Sequence, residues 1–293
     1  MMAVIQTEAL TKYYGPVRGV EDLNLEVEEG EIFGYLGPNG AGKTTTIRLL
    51  IGSINPTRGK AYLLGHRIST RSFAWKKDIG YIPGELSLYG DLTGEEFLRY
   101  FAYLRGGVDW GYVKSLVQRF DLDLSKPIKT YSHGNRQKLG IIQALMHKPK
   151  LLILDEPTLG LDPLMQQEFY RVMEEVKGEG RTVFISSHIL PEVEKICDRV
   201  GIIKEGHLIV VENVQSLKAK AMRRAEVVFA EEVNREEFAS LPGVNDLQIE
   251  GKTLRCLLKG EPNAFIRALA RHNVVSLRVQ DSSLEEIFLT FYS

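Results

Sequence analysis

Near its N-terminus the chain alternates apolar and polar positions and then stops alternating. Leu23, Leu25 and Val27 interleave with Asn24, Glu26 and Glu28, the period of two expected of a strand buried on one face, and Glu29-Gly30 closes it. Val4 and Ile5 open an earlier strand. Ile32-Phe33-Gly34-Tyr35-Leu36 carries no charged residue, as a strand covered on both faces requires. Ile47, Leu49, Leu50 and Ile51 follow as a helix would. Strands are expected again over 60–64, 78–83, 151–154 and 182–186, and the last core strands over 197–211, with a hairpin turn at Lys204-Glu205-Gly206-His207. Between them the texture is helical. Thr93-Gly94-Glu95-Glu96 reads as a capping box opening a helix through Phe97, Leu98, Tyr100, Phe101 and Leu104, and Val113, Leu116, Val117 and Phe120 form a second helical stripe. Residues 168–177 are amphipathic. The pattern is that of an α/β core, residues 1–215, with a helical insertion at about 90–137.

From residue 216 to 293 the grammar changes to strand (225–230), helix (235–240), strands (244–250 and 254–259), helix (263–272) and strand (274–280). That βαββαβ order predicts a small α+β, ferredoxin-like C-terminal domain. Ser282-Ser283-Leu284-Glu285 reads as another capping box, opening a helix with Leu284, Ile287, Phe288 and Phe291 on one side.

The polar chemistry sits where strands end. Gly37 to Thr46, GPNGAGKTTT, fits G-x-x-x-x-G-K-[ST] between a buried strand and a helix. Its glycines let successive N–H groups converge on phosphate oxygens at a helix N-terminus. Lys43 then reaches the β- and γ-phosphates, Thr44 offers its hydroxyl to Mg²⁺, and Thr45 touches the α-phosphate. The apolar run Leu151 to Leu154 ends in Asp155-Glu156, carboxylates at the C-terminal edge of a parallel strand, where α/β folds hold ligands. Asp155 is expected to hold Mg²⁺ and Glu156 to act as general base on the attacking water. His188, just after the strand ending in Ser186-Ser187, is expected at the same edge, facing the γ-phosphate. Tyr14, in the turn Lys12-Tyr13-Tyr14-Gly15, is a candidate to stack on an adenine ring.

Composition narrows this little further. The 293 residues are 44% hydrophobic and 26% charged, enough for one large core or two domains, and the formal net charge of -1 gives no general attraction to nucleic acid, which is not an expected partner. Lys218, Lys220, Arg223 and Arg224 read as a solvated helix face. Cys197 and Cys256 match no metal spacing and read as buried, reduced thiols of a cytoplasmic protein. No window approaches the roughly 18 apolar residues of a membrane span.

Taken together, the phosphate loop, the helical insertion, YSHGNRQ (Tyr131 to Gln137), LLILDEP, Gly160-Leu161-Asp162-Pro163 and Ser186-Ser187-His188 resemble the ATP-binding-cassette ATPases over residues 3 to about 215. The resemblance implies a P-loop NTPase cassette: a mixed-sheet core with an antiparallel β subdomain and a helical insertion. It implies an ATPase using ATP and Mg²⁺, with Tyr14 on the adenine and Gly37, Asn39, Gly40, Ala41, Gly42, Lys43, Thr44 and Thr45 around the phosphates. Ser132 and Gly134 match the signature LSGGQ, which contacts the γ-phosphate bound to the opposite subunit; Asp162 matches an inter-subunit loop, and His188 the switch histidine. Two copies are then expected to close head to tail over two ATP and to open on hydrolysis. The tail around Ser283 to Leu289 resembles single-cassette ATPases of export-type transporters for drugs, antibiotics or polymers. The implied assembly pairs the chain with a separate transmembrane permease at the inner face of the cell membrane.

Two positions depart from the family. His133 stands where the signature has a glycine, and is expected to crowd or re-tune that contact. Gly84 stands where a magnesium-binding glutamine is usual, which makes Glu85 the candidate to substitute as an oxygen ligand. Two other functions stay open: a soluble cassette ATPase acting on ribosomes or nucleic acid, and a regulator that binds nucleotide without turnover.

Overall fold

The computed structural model describes residues 3–69, 74–220 and 223–281. The chain divides into two compact units, Met1–Val211 and Glu212–Ser293. The capping box at Ser282 to Glu285 lies outside the described residues.

The first unit opens with β1 (Ala3–Tyr14), β2 (Val17–Leu23) and β3 (Glu26–Glu28). The strand expected across 23–28 is broken at Asn24-Leu25 because side chains take over the backbone bonding there. The Asn24 side chain accepts from Ala9 N at 2.8 Å, and Leu25 N donates to the Thr7 hydroxyl at 2.8 Å. β4 (Ile32–Leu36) is buried at every position and leads through the glycine-rich loop into α1 (Lys43–Leu50). β5 (Arg58–Leu63) and β6 (His66–Arg67) complete an outer sheet of order β2-β1-β5-β6, with β3 also on β1. The pairings of β1 with β2, β3 and β5, and of β5 with β6, are antiparallel.

β7 (Ile79–Ile82) precedes the helical insertion. There α2 (Gly94–Leu104) starts at a complete capping box: Thr93 N donates to Glu96 Oε2 at 2.8 Å, and Glu96 N to Thr93 Oγ1 at 3.2 Å. The Asp109 side chain caps α3 (Trp110–Arg119), and that of Ser132 caps α4 (His133–Leu145). Phe97, Leu98, Val113 and Leu116 form the buried faces that the sequence stripes anticipate.

Next come β8 (Leu151–Asp155), α5 (Pro163–Gly178), β9 (Thr182–Ser187), α6 (Leu190–Ile196), β10 (Arg199–Lys204) and β11 (His207–Asn213). α5 begins earlier than the amphipathic stripe suggests, because Asp162 caps it and Pro163 takes its first position. The central sheet has the order β11-β10-β4-β9-β8-β7, and its pairs from β10 to β7 are parallel. Phe33 and Phe184 stack at 5.8 Å between ring centroids, with Tyr35 against Phe184 at 5.3 Å. Each such ring contributes about 1.5–3 kcal/mol by burial. The register sets Asp155 beside Ser186 and Leu36 beside Ser187, so the ends of β4, β8 and β9 meet at one edge.

The second unit contains α7 (Val214–Lys220), β12 (Arg223–Phe229), α8 (Arg235–Ala239), β13 (Val244–Glu250), β14 (Thr253–Leu258), α9 (Asn263–Leu269) and β15 (Val274–Asp281). Its sheet has the order β13-β14-β12-β15 with every pairing antiparallel. Val227, Phe229, Leu254 and Leu258 pack with Phe238, Phe265 and Leu269 in one core. Arg223 and Arg224, expected on a basic helix face, instead open β12; the apolar alternation of Ala225, Val227 and Phe229 puts this stretch into the sheet. Cys197 and Cys256 are buried free thiols, and burial pushes both pKa values up.

Candidate active site

The loop after β4 is shaped for an anion by its backbone. Gly42, at φ +109°, precedes α1, and a Cβ there would stand 2.6 Å from Gly19 O, so only glycine fits. No side chain caps α1, and Thr46 N, bonded to Gly42 O at 2.9 Å, is the first in α1 to bond back along the chain. The N–H groups of Lys43, Thr44 and Thr45 are thus the donors that a helix start leaves without an intrahelical partner. Lys43, only 6% exposed, donates to Gly37 O at 2.7 Å and Pro38 O at 3.2 Å, and its Nζ lies 3.3 Å from Glu156 Oε1.

The carboxylates meet this loop across the sheet edge. Asp155, 1% exposed, accepts on one oxygen from Thr44 Oγ1 at 2.9 Å and on the other from Ser186 Oγ. Tyr81 is pushed up to about 12, first by burial and then by the negative charge of Asp155. Glu156 adopts a left-handed φ of +50°, which for a residue with a Cβ persists only where its surroundings enforce it. Here its N–H donates to Ser186 O at 3.2 Å, and His188 Nδ1 lies 2.9 Å from Glu156 Oε2. The other carboxylate oxygen, Oε1, is buried without a hydrogen bond; the Lys43 ammonium faces it as an ion pair only.

A cleft of about 400 Å³ gathers Tyr14, Asn39, Gly40, Gly42, Lys43, Thr44, Thr45 and Glu156, with Arg18 at its wall. Tyr14 is 44% exposed and carries Lys12 Nζ 5.3 Å from its ring centroid. Gly37 and Ala41 of the same loop are buried. Ser132 and Gly134 lie elsewhere, at the start of α4, where the Ser132 side chain accepts from Asn135 N at 3.2 Å. Asp162 caps α5 through Met165 N at 3.0 Å. Gly84 lies against Asp155, where a Cβ would stand 3.2 Å from its Oδ2, whereas Glu85 is exposed and bonds none of the described site residues.

Two residues beyond those singled out from the sequence bind the site together. Ser186 holds both Asp155 and the Glu156 backbone, and Gln137, 4% exposed, donates to Pro157 O at 2.8 Å. A buried serine pair closing an apolar strand was the available signal for Ser186. Gln137 closes the YSHGNRQ motif, but no sequence feature there shows that its side chain reaches Pro157.

The residues fit a nucleotide triphosphate with its magnesium. The uncapped helix start, the buried ammonium and the oxygen of Glu156 without a donor together suit a triphosphate and a water. Among the described residues no group of three or more His, Cys, Asp or Glu could hold a metal by itself. Magnesium takes one or two protein oxygens and completes its shell with phosphate and water, and the Thr44 hydroxyl and Asp155 carboxylate, 2.9 Å apart, are oxygens of that kind.

Comparison with known proteins bears on the same residues. The profile of the family described as "ABC transporter" matches residues 20–159. The bacitracin transport ATP-binding protein BcrA of Enterococcus faecalis is 36% identical over 98% of this chain and 96% of its own length. The linearmycin resistance ATP-binding protein LnrL of Bacillus subtilis is 32% identical over 98% of this chain and 97% of its own. A solved ATP-binding subunit of an ABC transporter, 32% identical, superposes with a TM-score of 0.68 over 73% of this chain and 92% of that one.

Proposed function

The chain belongs to the ABC transporter ATP-binding proteins and is the ATPase subunit of a transporter, and from that premise we propose how its residues divide the work. The observation that carries the reading is the contact chain Thr44–Asp155–Ser186 beside Lys43–Glu156–His188, which links the phosphate loop, the acidic strand end and the histidine.

In this reading Tyr14 stacks on adenine, Gly37 to Thr45 cradle the phosphates, and Lys43 leaves its loop carbonyls for the β- and γ-phosphate oxygens. Thr44 and Asp155 would hold Mg²⁺, which supplies charge neutralisation on the phosphates when bound. Glu156 takes the proton of the attacking water, with His188 fixing the orientation of its carboxylate. Ser132, Gly134 and Asp162 of a second copy complete each site, so two chains close head to tail over two nucleotides. Glu85 reaches the metal only by swinging in from the surface, so its share is smaller than that of Asp155. A separate membrane permease receives the motion, with the chain peripheral on the inner face of the membrane; among the described residues no helix is long and apolar enough to cross one. Bacitracin transport and linearmycin resistance, for which BcrA and LnrL are named, favour antibiotic-like cargo and an export role.

The test is Glu156→Gln in the full chain. Loss of a general base predicts a fall in kcat of about 10²- to 10⁴-fold, with ATP retained and a dimer on size-exclusion chromatography in ATP and magnesium. Near-native turnover refutes the base assignment, and a monomer at saturating ATP refutes the shared site.

A further inference from the structure

His133 opens α4 directly after the Ser132 cap. Its ring lies against Gly160, in the loop between Glu156 and Asp162: a Cβ built on Gly160 would stand 2.1 Å from His133 Nδ1. Gly160 adopts φ +81°, so its lack of a side chain serves both the turn and the ring. A Cβ on Gly134 would stand 2.7 Å from Gly160 O, so the α4 backbone also presses on this turn. One helical turn on, the buried Gln137 side chain donates to Pro157 O. Positions four apart share a helix face, so α4 holds the loop at its start through Gln137 and near its end through His133. The loop's own bonds are short-range, Leu159 N to Glu156 O at 3.2 Å and Leu161 N to Thr158 O at 3.0 Å. Other elements hold it at Glu156, whose N–H bonds Ser186 of β9, at Thr158, whose hydroxyl donates to Glu192 of α6 at 2.5 Å, and at Leu161 O, which accepts from Gln166 of α5 at 3.3 Å; none of these bonds reaches Gly160, where His133 rests.

We propose that His133 is a positioning residue for hydrolysis: its imidazole is a wedge against Gly160 that holds the 156–162 loop in the turn presenting Glu156 to Lys43 and His188. The proposal rests on the reading of Glu156 as the base. It assigns the departure from a glycine at this signature position a role within the subunit, separate from any contact with nucleotide in the partner. The wedge does not touch Tyr14 or the phosphate loop in any described contact, so its loss changes turnover and not nucleotide affinity. Ring shape is what matters, so another planar ring substitutes.

The experiment uses the full chain and its variants His133→Gly, His133→Phe, Gly160→Ala and the His133→Gly/Gly160→Ala double. Steady-state ATPase, ATP binding by calorimetry and a thermal melt are measured on each. His133→Gly is expected to lower kcat between about tenfold and 10²-fold, the scale of an ångström-level misplacement, with the Kd for ATP and the melt unchanged. His133→Phe is expected to restore most of that loss. Gly160→Ala is expected to be at least as damaging in the native chain but less so beside His133→Gly, where its methyl no longer meets the imidazole. Unchanged kcat in His133→Gly overturns the proposal, as does a loss confined to ATP affinity or strict additivity of the two substitutions. Additivity with lowered kcat places His133 in the partner contact instead. If Glu156→Gln still turns over, the base assignment fails separately, and the coupling between 133 and 160 still decides the wedge.

Discussion

The phosphate-loop half of the site and the signature half are both helix N-termini entered from a loop, yet they are secured differently. α1 has no capping side chain; Lys43 and Asp155 beside it are buried, tied by bonds that span from loop to β8 and β9. α4 is capped by its own Ser132, and Ser132 and His133 are exposed. Leaving helix donors uncapped is a cost accepted where an anion is to be bound. The phosphate-loop half is therefore fixed by non-local buried contacts. The signature half caps its own helix, which leaves the exposed Ser132 free to meet a second molecule while Gln137 and His133 keep α4 against the Glu156 loop.

The most direct way to break that contrast is Lys43→Ala. It removes a charged hydrogen-bond donor worth about 1.5–3 kcal/mol, so ATP binding to the isolated subunit, measured by calorimetry, should weaken about 10- to 150-fold. Binding within twofold of the native value would mean that Lys43 stays with its loop carbonyls and Glu156. Ser132→Ala addresses the other half. It should leave ATP affinity of the monomer unchanged and cost α4 about 1 kcal/mol of capping. The maximal ATPase rate should fall roughly fivefold, the value of one lost hydrogen bond. Weakened ATP binding to the monomer would erase the distinction between the halves.

The smallest expected effect is a baseline remote from both halves. His147 donates from Nε2 to Ile79 O at 3.1 Å, its Nδ1 has no partner, and burial, aided by the charge of Arg105, pulls its pKa down to about 4 from 6.5. The folded state therefore disfavours its protonation. That stability is complete above the unfolded value of 6.5 and is lost as pH falls from there toward 4. Tm should drop modestly across this window, and His147→Gln should flatten the profile. An unchanged slope in His147→Gln would assign the pH dependence to other groups.

Much of the fold was legible because its signals are local. The Thr93–Glu96 capping box, the buried run of β4 and the two-residue turn at Glu205-Gly206 each depend on a few adjacent residues, and each appears where expected. The structure departs from the sequence pattern where side chains compete with backbone ladders, as at Asn24-Leu25, and where a cap lies ahead of the apolar stripe, as Asp162 does for α5.

The sequence by itself determined which residues are candidates for the phosphate chemistry. Glycines at Gly40 and Gly42 permit positive φ, a lysine and three threonines follow them, and two acids close a strand too apolar to lie anywhere but inside. These follow from backbone sterics and from the cost of burying unpaired charge, which act over a few residues. Only the tertiary structure decided that Ser186 bridges Asp155 and Glu156, that Gln137 holds Pro157, and that His133 rests on Gly160. Those contacts depend on the strand order β4-β9-β8 and on where α4 meets the loop. Packing between elements distant in the chain sets both, and hydrophobic periodicity records which face is buried but not what it is buried against.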